Sequence, residues 1–110
     1  MLARERGKAL RAPLIVVVVA RIQSGSKIPE VEQIVSAGAA AQNIMLAAHA
    51  LGYGAMWKTG EPAYDLRVKE ALGLQASDAI VGFLYLGTRA AGSAPVARPE
   101  PQDFVVEWTG

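Results

Sequence analysis

The sequence predicts a mixed α+β layer structure, and three observations carry that expectation. Two nearly continuous apolar runs, Leu14–Ile22 and Ala79–Gly87, are rich in Val, Ile and Leu, as strands of a covered sheet are. Between them, from Glu30 to Leu51, apolar residues recur at intervals of three and four, the period of a helix. Hydrophobic residues make up 52% of the 110 and charged residues 19%, which supplies one buried core and excludes a disordered chain.

Residues 1–12 are polar and helix-compatible, and Pro13 opens the first strand. Arg4, Arg6, Lys8 and Arg11 before that strand imitate a signal peptide. The apolar run is short and valine-rich, however, and Arg21 stands where small residues would mark cleavage. A strand buried on both faces fits better. After the loop Gln23–Lys27, one side of the long helix carries Val31, Ile34, Val35, Gly38, Gln42, Met45 and His49. The other carries Ala37, Ala40, Ala41, Ile44, Ala47, Ala48 and Leu51. A helix apolar nearly all round needs cover on more than one side, and in so short a chain a partner subunit is the natural second cover. Gln42, Asn43 and His49 interrupt the run, so it reads as a buried helix rather than a membrane span.

Gly52 stops this helix. Tyr53–Trp57 reads as a short strand, and Lys58–Pro62 as a turn in which Gly60 is free to adopt positive φ. Tyr64–Leu72 is a short amphipathic helix ended by Gly73, and Asp78 precedes the third strand, Ala79–Gly87. A Gly-, Ala- and Pro-rich loop from Thr88 to Pro101 leads to Phe104–Trp108, which alternates like a strand.

Eleven basic and ten acidic residues leave a net charge of +1, which offers no footprint for nucleic acid or an anionic membrane. The absence of cysteine excludes disulfides, iron–sulfur clusters and thiolate chemistry, and agrees with a cytoplasmic location. One histidine argues against a zinc site, so no metal is expected. Gly52-x-Gly54 is no dinucleotide fingerprint: its third glycine position is Trp57, and it leads from helix to strand, the reverse of the motif. His49 has no second histidine or carboxylate at relay spacing and reads as helix-end packing. Glu30 with Glu32, and Glu61 with Asp65, read as solvated helix starts, where carboxylates favour the positive dipole end. No side chain stands out as a nucleophile or general base, so no catalytic residue is assigned. That pattern suits a flavin enzyme, in which the isoalloxazine ring carries the redox step and the protein positions it.

Several segments, in order, resemble the nitroreductase family. Arg11–Ala20 is similar to the strand opening the second half of these proteins. Ser36–Ala41 and Leu46–Gly54 resemble their long central helix and its exit. Gly54-Ala-Met-Trp-Lys-Thr-Gly60 is similar to the flavin-facing loop of the small YdjA-type branch, and Ile80–Thr88 to its last core strand. The similarity runs collinearly from Arg11 to Thr88 and more weakly to Phe104–Trp108. It implies a nitroreductase-like fold, sheet flanked by helices, formed as a homodimer with FMN at the subunit interface. NAD(P)H would be the hydride donor, and a nitro compound, quinone or similar small molecule the acceptor. Trp57, Lys58, Thr59 and Gly60 would line the flavin ring. Arg98, followed by Pro99, would meet the FMN phosphate. The nicotinamide nucleotide would lie near Ala47, Ala48, His49, Ala50, Leu51 and Gly52. Without the resemblance, the bend at 57–60 is an ordinary turn with Trp57 as core, and Arg98 is a solvated loop residue.

The resemblance makes residues 1–110 a single unit, the C-terminal portion of a nitroreductase domain. The family's Arg- and Ser-rich phosphate-binding N-terminal half has no counterpart in Met1–Leu10. The alternative is therefore a non-catalytic dimerisation or flavin-binding remnant.

Overall fold

The computed structural model describes residues 12–90 and 95–110. Strand β1 (Leu14–Ala20) is followed by helix α1 (Glu30–Ala50), strand β2 (Tyr53–Lys58), a 3-10 turn (Glu61–Tyr64), helix α2 (Leu66–Ala71) and strand β3 (Ala79–Thr88). A second 3-10 turn (Pro101–Asp103) lies near the C-terminus. The three strands form one antiparallel sheet in the order β1-β3-β2. This is the expected α+β class; of the helix-compatible stretch 1–12, residues 1–11 lie outside the described residues and Ala12 is a bend.

Residues opposite one another in an antiparallel pair share a face. Val16, Leu84 and Trp57 therefore stand on one side of the sheet, and Val17, Phe83 and Lys58 on the other. Burial along β3 alternates accordingly, with Ile80, Gly82 and Leu84 buried. α1 packs against all three strands, and the side holding Leu84, 0% exposed, is the one it closes. The facing residues of α1 are Ala41 and Ala48, fully or nearly buried, with Ile34, Ala37 and Ile44 half-buried. Of the stripe that begins at Val31, Val31 and Val35 are exposed, as is Leu46. The helix thus keeps an apolar side uncovered among the described residues, as its composition implies.

Three expectations need correction. β1 is half-buried rather than buried on both faces, because among the described residues it pairs only with β3 and so forms a sheet edge. Phe104–Trp108 is not a strand. It follows the 3-10 turn without a ladder partner, and Trp108 is 88% exposed. His49 is exposed rather than packed.

Local chemistry sets the boundaries. The side-chain amide of Gln33 pins the loop before α1, its Oε1 accepting from the Gln23 N–H at 2.8 Å and its Nε2 donating to the Ile28 carbonyl at 2.9 Å. Glu30 and Glu32 occupy the first turn of α1. Asp65 caps α2 by accepting from the Arg67 N–H at 2.8 Å, which moves the start of that helix from Tyr64 to Leu66. Asp78, 1% exposed, accepts from the Gln75 N–H at 2.8 Å and from Arg21 Nη2 at 3.3 Å, joining the end of β1 to the start of β3. No helix among the described residues is long and apolar enough to cross a membrane.

Candidate functional site

The bend after β2 is built by three local features. Trp57 and Lys58 are the last residues of β2, so their side chains leave the strand on opposite faces. Trp57 turns to the closed side, where its Nε1 donates to the Val81 carbonyl at 3.1 Å. Lys58 turns to the open side, where its ammonium lies 5.2 Å from the Tyr85 ring centroid, in cation–π range. Thr59 is exposed, and Gly60 follows at φ 76° and ψ −168°, a conformation that side-chain-bearing residues rarely adopt. Its carbonyl accepts from the Ala63 N–H at 3.2 Å, which starts the 3-10 turn. Ala63 is buried, and this turn packs against β3.

A groove of about 520 Å³ opens on the Lys58 side of the sheet. Met56, Lys58, Tyr85, Gly87 and Arg89 line it, with Pro13 at one end. The two cations give it positive character, and Met56 and Tyr85 supply apolar and aromatic surface. Arg89 also reaches the end of α1, where its Nη2 lies 2.6 Å from His49 Nδ1. A guanidinium only donates, so Nδ1 is the acceptor in this contact.

The candidate residues are thus distributed over three places. Lys58, Thr59 and Gly60 are contiguous at the bend, with Trp57 beside them in sequence but on the other face. Ala47–Gly52 form the C-terminal end of α1, where the Leu51 and Gly52 N–H groups donate to the Ala47 and His49 carbonyls at 3.0 Å. Those amides are already engaged, and the dipole presents its negative end there. Arg98 lies in the exposed segment that begins at residue 95, and among the described residues no hydrogen bond or ion pair ties it to the bend. Sequence reasoning missed Met56, Tyr85 and Arg89. The pairings Met56↔Tyr85 and Lys58↔Phe83 would have exposed the first two, since Lys58 and Tyr85 are then diagonal neighbours.

Residues 2–88 match the sequence model of the Nitroreductase family. The chain is 42% identical over 103 residues to an Escherichia coli protein called "Putative NAD(P)H nitroreductase YdjA", covering 93% of this chain and 56% of that protein. Among solved structures, it superposes on a nitroreductase-like family protein from Bacillus cereus with TM-score 0.80 and 27% identity, over 99% of this chain and 60% of that one. A nitroreductase-type protein from Desulfovibrio desulfuricans, solved in complex with FMN, aligns with TM-score 0.66 and 29% identity, over 87% of this chain and 55% of that one. The chain therefore spans somewhat more than half the length of these relatives.

Proposed function

This chain belongs to the nitroreductase family, and we propose that it serves as an FMN-dependent NAD(P)H oxidoreductase acting on nitro compounds, quinones or similar small acceptors. The observation that carries this reading is the bend at Lys58–Gly60. Gly60 takes a positive φ, and the side where its Cβ would stand holds only Pro62 Cδ at 3.7 Å, so a planar group can approach the main chain closely. The residues present therefore fit a flavin. When bound, FMN would supply the two-electron redox chemistry that links NAD(P)H to the acceptor.

The chain's own residues position that chemistry. The Thr59 and Gly60 N–H groups would serve as main-chain donors to the ring. Lys58 would place positive charge near the ring, which would favour its electron-rich reduced form. Trp57 would line the ring through its main chain, since its indole is held on β3. Arg98 serves the phosphate, and Ala47–Gly52 border the nicotinamide nucleotide. The exposed Val31, Val35 and Leu46 of α1 suit a second copy of the chain, which supports a homodimer as the working form. The name of the Escherichia coli relative and the FMN in the Desulfovibrio structure support the reading.

Mixing the purified chain with FMN and removing free flavin tests it. The expected result is a yellow protein bleached by NADH or NADPH without oxygen. A colourless dimer that ignores FMN would replace the enzyme with the non-catalytic remnant.

A further inference from the structure

We propose that Gly82 is a positioning residue for the bend at Lys58–Gly60, acting through Trp57; this rests on the flavin-site reading above. Gly82 is buried at the centre of β3, beneath the indole of Trp57. A Cβ on Gly82 would fall on the indole Nε1, 2.6 Å from Cδ1 and 3.0 Å from Cε2. Real carbon atoms do not approach so closely, so only glycine at this position leaves room for the indole where it stands. Once there, the indole has one donor, and it is used on the Val81 carbonyl at 3.1 Å. That carbonyl belongs to a residue skipped in the β1 register, which passes from Val18↔Gly82 to Val19↔Ile80. The irregularity in the sheet and the indole hydrogen bond thus meet at one peptide.

The consequence reaches the bend. Trp57 locks its upstream end to β3, and Ala63, 2% exposed, locks the downstream end through the 3-10 turn packed on the same strand. Lys58, Thr59 and Gly60 are held between two anchors on one strand. The Trp57 side chain is accordingly an anchor beneath the bend, and the ring-facing groups are the main chain and Lys58. Displacing the indole shifts main-chain donors by distances to which ligand geometry is sensitive.

Gly82→Ala, Trp57→Leu, their combination and Trp57→Phe, each in the 110-residue chain, test the lock. Gly82→Ala is expected to weaken FMN binding by about tenfold and to shift the bound-flavin absorbance, whereas in the Trp57→Leu background it changes affinity by less than about twofold. Equal effects in both backgrounds would overturn the proposal. If Gly82→Ala fails to fold, Trp57→Phe carries the test, because it removes the hydrogen bond without adding bulk. It should weaken FMN several-fold with the circular dichroism unchanged, and unaltered binding would refute the lock. If the unsubstituted chain binds no FMN, the proposed function fails separately. Amide exchange at Thr59 and Gly60 then decides: it must quicken in Gly82→Ala, or in Trp57→Phe should the former not fold, and unchanged exchange rejects the positioning role.

Discussion

The two sides of the sheet differ more than their composition suggests. On the side closed by α1, Leu84 is fully buried, Ile80 nearly so, and the Trp57 indole has its acceptor. On the other side, Met56 is 56% exposed, and Lys58 and Tyr85 face a groove. Both sides are written on the same strands by residues that alternate one by one. The difference teaches that Trp57 and Lys58, adjacent in a stretch resembling a flavin loop, do different work. The first holds the strand end in place, and the second offers charge to whatever enters the groove.

Substitutions on each side should separate these roles. The largest stability effect belongs to the closed side. Leu84→Ala should cost about 2–5 kcal/mol in a urea melt, a large fraction of the stability of a domain this size. A cost no greater than that of Met56→Ala would erase the distinction between the faces. Next comes Asp78→Ala, which strands the Gln75 N–H and releases Arg21. A loss of about 2 kcal/mol is expected by the same melt. On the open side the readout changes from stability to ligand. Gly60→Val forces a β-branched residue into a backbone region that is essentially glycine's, at about 1–3 kcal/mol, and should abolish FMN retention while gel filtration reports the same assembly size as for the unsubstituted chain. FMN binding unchanged in this variant would detach the bend from the flavin. Lys58→Met should weaken FMN about tenfold, with stability altered by about 1 kcal/mol or less, the scale of one exposed cation–π contact.

The smallest effect lies away from both faces. The Arg67 side chain, hydrogen-bonded to Asp65, holds that carboxyl below its ordinary value of 3.8, with the Arg67 N–H adding to the effect. A depressed carboxylate pKa contributes stability that is present above the ordinary value and lost as pH falls through the lowered one. Acid unfolding below pH 3.8 should therefore be slightly shallower in Asp65→Asn. The pair is exposed, so the change will be slight.

Much of the fold was legible because the signals were long. The apolar periodicity of Glu30–Leu51 and the run Ala79–Gly87 survive any uncertainty at their ends. Edge and central strands share a composition, however, so Leu14–Ala20 did not reveal that it lies at the sheet margin. Phe104–Trp108 alternates as a strand does, but alternation supplies no partner. For the candidate site, Gly60 announced the bend, whereas the Trp57–Gly82 contact depends on register and on a bulge that no local pattern encodes. Arg89 and His49 meet only because α1 and β3 end at the same edge of the molecule.

The strand order also orders the folding events. β2 and β3 pair across the short segment containing the 3-10 turn and α2, so their loop closes at modest entropic cost. Leu14 meets Leu86 only after most of the chain has been gathered between them. Contacts so distant in sequence form late, and β1 is expected to dock last onto a hairpin-like nucleus of β2 and β3. The Lys58–Gly60 corner then takes shape inside that early nucleus, before the sheet acquires its third member.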